Sequence, residues 1–273
     1  MIKTRLSLTV SAFVLSACAS AAVAPPSING ADLQKEQTYQ KGYAEQVKAD
    51  PNKTYTVGQA DVDRLAAVAK NVRAAGTDVC AKLGTASNCN YPIKLVTEPK
   101  EEANVPNAYA DGTTIFITLA MLATTPKTEE LAFVLSHEYS HNILTHVSLQ
   151  TRNAMMGMAL GTLADQLFAS RGFDTGGELG KFGSQYAATK YSVSYEREAD
   201  YVGLYILDHA GYDVKAADDT WRRMGAQNPD SIYLQTTHPT SAERYLSMQQ
   251  TSAEIAAKKK AGQPVYPNAA TKK

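Results

Sequence analysis

One five-residue stretch constrains this chain more than any other: His137-Glu138-Tyr139-Ser140-His141. The pattern H-E-x-x-H is one by which a helix holds a zinc ion beside a general base. At about 100° per residue, positions 137 and 141 project about 40° apart, one turn from each other, so both imidazoles can share a metal. Glu138 flanks them, within reach of a water at that metal. The neighbouring residues agree with a helix. Thr125-Pro126 supplies a capping side chain and an early proline, and Glu129 and Glu130 follow where the helix dipole favours anions. Leu131, Val134 and Leu135 then recur at helical spacing, so a helix is expected over about 126–146. Two core histidines on a buried face are the bland alternative.

Composition narrows the class. The chain has 273 residues, 44% hydrophobic, with 27 basic against 27 acidic side chains. That suits one domain of about 200 residues with appendages. No basic patch or RNA-binding motif stands out, so nucleic acid is not an expected partner. No internal repeat of 20–50 residues is visible either, which argues against a solenoid.

The N-terminus reads as a targeting segment. Lys3 and Arg5 precede the mostly apolar run Leu6 to Leu15, which is too short to span a bilayer as a mature helix. Leu15-Ser16-Ala17-Cys18 follows and resembles the bacterial lipobox, in which cleavage precedes a lipid-bearing cysteine. Ordinary secretion, with cleavage within Ala17 to Ala24, is the alternative. Several acyl chains on Cys18 would anchor the chain firmly, at about 0.8 kcal/mol per buried methylene. Ala19 after the cysteine resembles the enterobacterial signal for the outer membrane. With Lys3 and Arg5 removed, the mature chain stays close to neutral. In such an exported setting Cys80 and Cys89 form an even pair, expected to be a disulfide worth roughly 2–3 kcal/mol. Two metal-binding thiolates are the alternative, but the spacing does not suit a zinc knuckle and no histidine lies nearby.

Taken in order, residues 19–35 suggest a tether, 31–50 a polar helix and Asp50-Pro51-Asn52 a turn. Leu65, Val68, Ala69 and Val72 mark a packing helix ending near Gly76 or near Leu83. Tyr91 to Thr97 is β-rich, and Asn107 to Thr118 reads as a hairpin turning at Asp111-Gly112. Its edge could accept an extended peptide by strand addition, or it could be purely structural. Residues 153–169 form an apolar helix, expected to be buried, with a membrane- or partner-facing hairpin as the second reading. Gly172 to Gly183 suggests a mobile loop, lid or connector. Helices are expected at 191–209, around 214–226 and at about 240–258.

A catalytic zinc site needs three protein ligands and one open position. The metzincin pattern is absent, since Leu144 and Val147 stand where it needs glycine and histidine. His146 lies about 180° round a continuous helix from His137 and reads as structural. Glu196 is the best third ligand, with Asp200 one turn later to hold an imidazole's tautomer. Glu198, about 200° round from Glu196, would point elsewhere. A solvated charged face would explain Glu196 and Asp200 nearly as well.

The three motifs together decide between these readings. His137 to His141, then Glu196 to Asp200 with Gly203, then His238-Pro239 to Arg244, resemble the HtpX/CAAX-prenyl-protease family of zinc metallopeptidases. The hairpin containing Asn107-Ala108-Tyr109-Ala110 resembles that family's strand before the metal helix. The likeness covers roughly 60–250. One departure is Ser192-Val193, where members often carry Ser-Arg, so the supporting contact of that arginine is not expected here. The transmembrane segments of integral-membrane members are missing.

This resemblance implies an α+β, mostly helical zincin-like fold with a small antiparallel sheet beside the metal helix. It implies one Zn(2+) held by His137, His141 and Glu196, with Glu138 as catalytic base. Asp200 and Arg244 would support the ligands, and His238 would stabilise an oxyanion or cap the site. The expected organisation is a lipoprotein signal peptide at 1–17, a lipidated tether and helical segment at 18–59, a zinc metallopeptidase domain at 60–257 and a disordered tail at 258–273. The implied activity is hydrolysis of misfolded or unassembled envelope proteins in the periplasm, from the inner leaflet of the outer membrane, with the outer-membrane assembly machinery as a candidate partner. A chaperone or assembly factor with a capped site, and a hydrolase of cell-wall peptides, are the competing readings.

Overall fold

The computed structural model describes residues 22–44, 55–181, 193–217 and 241–270. Its elements are α1 (Gly30–Ala44), α2 (Gln59–Leu83), β1 (Ile93–Val96), α3 (Lys100–Ala103), β2 (Ala108–Ala110), β3 (Ile115–Thr118), α4 (Leu119–Thr124), α5 (Thr128–Ile143), α6 (His146–Ala169), α7 (Val193–His209) and α8 (Ala242–Lys260). The turn at Asp50-Pro51-Asn52, the helix at 214–226 beyond Ala217, Cys18 and His238 lie outside the described residues.

Two helices sandwich α5. Leu65, Val68, Val72, Ala75 and Val79 recur every three or four residues along α2 and bury one stripe against it. Gly76 lies on that stripe, where a Cβ would meet the Tyr139 ring at 2.5 Å, so the two helices approach closely there. Gly84, at φ 64°, ends α2 in the left-handed conformation that glycine adopts at little cost. On the other side α5 packs on α7, itself backed by α8. With neighbours on several sides, every residue of α5 from Glu130 to Ile143 is buried.

The sheet has the order β1-β3-β2 and is mixed rather than antiparallel. β2 and β3 form the expected hairpin, with Ala108 opposite Ile117 and Ala110 opposite Ile115. Asp111 closes the turn by accepting from the Thr113 and Thr114 amides, and Gly112 takes φ 94°. β1 adds to β3 in parallel because the chain crosses through α3 and β2 before β3 forms. Thr118 then caps α4 by accepting from the Met121 amide.

Four expectations need correction. The metal helix does not run to 146: Leu144 donates back to Ser140, Thr145 adopts φ 57°, and α6 starts afresh at His146. Helix α6 is not a buried helix. Its apolar residues are spread round all faces, only His146 is buried, and Met155, Leu160, Leu163 and Leu167 are exposed. Its contacts among the described residues are with α5, with Tyr195 at the start of α7, and with the segment after it, where Asp165 accepts from Thr175 and from the Leu179 and Gly180 amides. The tail is ordered as far as Ala270, because α8 continues to Lys260 and the next residues find polar partners. Lys258 donates to the Tyr266 carbonyl, and the Asn268 amide donates to Tyr201. The tether is likewise fastened: Val23 is fully buried and bridges Ala269, and Arg197 donates to the Pro26 carbonyl. No helix among the described residues is long and apolar enough to cross a membrane.

Candidate active site

Helix geometry places the first two donors. On α5, His137 and His141 lie one turn apart, and their Nε2 atoms come within 3.1 Å of each other. The third donor arrives from α7, which can approach closely because residue 203 is glycine. A Cβ there would stand 3.2 Å from the His137 backbone. One and two turns before Gly203, Asp200 and Glu196 face the same side. Glu196 straddles the imidazoles, with Oε2 3.3 Å from His137 Nε2 and Oε1 3.5 Å from His141 Nε2.

These three separations test the metal reading. Zinc bonds of 2.0–2.1 Å in a tetrahedron put ligand atoms about 3.3 Å apart. The observed 3.1, 3.3 and 3.5 Å bracket that edge, and the donor set, two imidazole nitrogens and a carboxylate, is one that zinc takes. Charge points the same way. Glu138, Glu196 and Asp200 are buried here, with Arg244 as their cationic neighbour. Burial disfavours a charged His137, but hydrogen bonds and charge from Asp200 and Glu196 outweigh it and push its pKa up to about 10. A site that draws in a proton so strongly is short of positive charge, which a divalent cation would supply.

Supporting contacts fix the ligands. Asp200 Oδ1 lies 2.9 Å from His137 Nδ1, the nitrogen away from the other imidazole. Arg244 is fully buried and forks onto Asp200 through Nε and Nη2, both at 2.7 Å, while Nη1 reaches Glu196 Oε2 at 2.6 Å. One guanidinium therefore braces a candidate ligand and its neighbour's partner. Burial alone would raise the Asp200 pKa; the Arg244 charge and hydrogen bonds, with His137, hold it below the ordinary carboxylate range.

Two residues set aside in the sequence belong here. The break at Thr145 cancels the continuous-helix argument, and His146 turns back until its Nδ1 lies 3.0 Å from His141 Nδ1. Glu198 points elsewhere than Glu196, as expected, but into the interior: it is buried, with Oε2 3.7 Å from His146 Nε2. Two further residues hold the metal helix from behind. The Tyr139 hydroxyl donates to the Cys89 carbonyl at 2.7 Å and accepts from the Tyr91 amide. Cys80 and Cys89 are disulfide-bonded, so that loop is pinned where Tyr139 needs it. Asn142 accepts from the Gly112 amide at 2.7 Å and donates to the Thr114 carbonyl, tying the hairpin turn to α5. Neither had a sequence signal beyond lying next to the motif.

Compared with known protein families, residues 67–252 match the model for peptidase family M48, more than half of the chain and all of the residues just described. The chain belongs to peptidase family M48. M48 metallopeptidases use zinc, so zinc is the metal for the His137–His141–Glu196 group. Among curated relatives, the chain is similar to the mitochondrial metalloendopeptidase OMA1 of Schizosaccharomyces pombe, 26% identical over 63% of this chain and 50% of that protein. OMA1 of Saccharomyces cerevisiae is 26% identical over 66% of this chain and 52% of its own length. OMA1 of Arabidopsis thaliana is 29% identical over 42% of this chain and 23% of its own. This M48 chain thus spans about half the length of the two yeast relatives.

Proposed function

We propose that this M48 chain is a zinc endopeptidase that cuts unfolded or unassembled proteins of a bacterial envelope. The observation that carries the reading is the trio of Nε2, Nε2 and carboxylate donors at tetrahedral spacing, next to a buried Glu138. Zinc bound there supplies Lewis acidity, polarising a scissile carbonyl and making water a nucleophile at neutral pH. The chain's residues do the rest. Glu138 takes the proton of the attacking water and delivers it to the leaving amine. Asp200 holds the proton on His137 Nδ1, leaving Nε2 free to ligate. Arg244 pairs with Glu196 and Asp200 and holds both in place. Strand β2 is one of the two sheet edges among the described residues and is the one that packs on α5, so an extended substrate strand can pair with it beside the metal. His238, next to the proline of the third motif, is assigned to the oxyanion or to a cap over the site.

Lys3, Arg5, the Leu6 to Leu15 run and the Leu15-Ser16-Ala17-Cys18 sequence support a lipid anchor on Cys18 and a place on the inner leaflet of the outer membrane. Fractionation with outer membranes, lost in Cys18→Ser, is the expected result; a variant that still fractionates with them contradicts the anchor.

The function is tested by cleavage of an unfolded model protein by wild type and Glu138→Gln. Loss of the base should cost about 10²–10⁴-fold in rate while zinc is retained. Undiminished cleavage in Glu138→Gln would remove Glu138 from the mechanism. The exposed apolar side chains of α6 favour one other reading, a chaperone that holds unfolded chains. Suppressed aggregation with no cleavage by the wild type would select it.

A further inference from the structure

Each ligating imidazole offers one nitrogen to the metal and needs its other N–H held by an acceptor. His137 has Asp200 for this purpose. At His141 Nδ1 the group in hydrogen-bond range is a second imidazole, His146 Nδ1 at 3.0 Å. Unlike the two Nε2 atoms, which would share a metal, these Nδ1 atoms have no metal position between them, so one is donor and the other acceptor. If His141 gives its Nε2 lone pair to zinc, its Nδ1 carries the proton and His146 Nδ1 is the bare acceptor. His146 must then carry its own proton on Nε2, and Glu198 Oε2, 3.7 Å from that atom, stands beside it as an ion-pair neighbour rather than at hydrogen-bond distance. The surroundings hold this arrangement still. Tyr195 stacks on the His146 ring at 4.6 Å and 16°, and Ser194 Oγ lies 3.4 Å from Glu198 Oε1. His146 is not a spare ligand, because its near nitrogen faces the side of His141 turned away from Nε2.

We propose that His146 and Glu198 are positioning residues, a relay that fixes the tautomer and ring orientation of His141 as Asp200 does for His137. The α5–α6 break makes the relay possible: the left-handed Thr145 swings His146 onto the back of the ligand, and α7 brings Glu198 two residues after Glu196. The relay rests on the zinc reading of His137, His141 and Glu196.

The test measures zinc affinity by chelator competition in the full mature chain, together with the visible spectrum of the cobalt-substituted protein. His146→Phe keeps a ring against Tyr195 and removes the acceptor, and should lose about 10–100-fold in zinc affinity. His146→Asn, whose side-chain oxygen can stand in for Nδ1, should recover most of that loss. Glu198→Leu, acting at one remove, should lose less than His146→Phe and shift the cobalt spectrum. Wild-type affinity in His146→Phe overturns the proposal, as does a His146→Asn variant as weak as His146→Phe. Should His146→Phe fail to fold, the other two variants decide: full affinity and an unshifted spectrum in Glu198→Leu overturn the relay. A wild type that binds no zinc would instead sink the reading beneath it, a distinguishable result.

Discussion

Arg244 is a guanidinium with no exposure to solvent, and its neighbours determine what its removal would do. It answers both Asp200 and Glu196, so deleting it strands two buried carboxylates beside Glu138. Removing one partner of a buried ion pair costs about 3–5 kcal/mol, far more than the roughly 0–1 kcal/mol of a surface pair. Arg244→Met should therefore lower the stability of the metal-free protein by about that amount in urea unfolding, and a change under about 1 kcal/mol would contradict the bracing role. The sign with pH follows from Asp200. Its folded pKa is depressed, so the contribution is present above the ordinary carboxylate value and is lost as pH falls through the lowered one. The gap between wild type and Arg244→Met should narrow in acid. This contact was legible in the sequence only through the third motif; nothing in local pattern connects position 244 with 200.

At the scale of elements, the close contact of α2 with α5 sets two effects against each other at Gly76. Alanine in a helix interior gains about 1 kcal/mol over glycine. Its Cβ, however, would sit 2.5 Å from the Tyr139 ring, and overpacking of that kind costs about 1–3 kcal/mol. The clash should win, so Gly76→Ala is expected to unfold at lower urea and to disturb the Tyr139 anchor; a stabilised variant would show that the helices can part freely. Helices α2 and α7, the hairpin and the His–Glu–His turn were readable because periodicity and turn chemistry are local. The break between α5 and α6 was not. A threonine at φ 57° has no sequence signature, and assuming one continuous helix sent His146 to the wrong face. Glu198 does point away from the Glu196 face, as its position predicts, but what it meets there was not readable. On a helix packed by α5, α8 and the start of α6, a second face can be as buried as the first.

At the scale of the whole molecule, both ends of the described chain close on the same helices. Tyr201 and Tyr205 of α7 both donate to Glu254 of α8, and Asn268 donates to Glu254 as well. Composition suggested a loose tail because it is rich in lysine with two prolines, but Lys258 is spent on four oxygens and Val265 and Tyr266 pack on the core. Those partners lie far off in sequence, where no window of residues could reveal them. What this frame accomplishes is to hold α7 against α5 closely enough for Glu196 to meet two imidazoles. The most direct test of that account is the zinc content of the mature chain beside His141→Ala and Glu196→Ala, with cleavage of an unfolded protein followed before and after chelation. The account predicts one zinc per chain in the wild type, little in either variant, and cleavage lost on chelation and restored by zinc. A wild type without zinc, or cleavage that survives its removal, would contradict it.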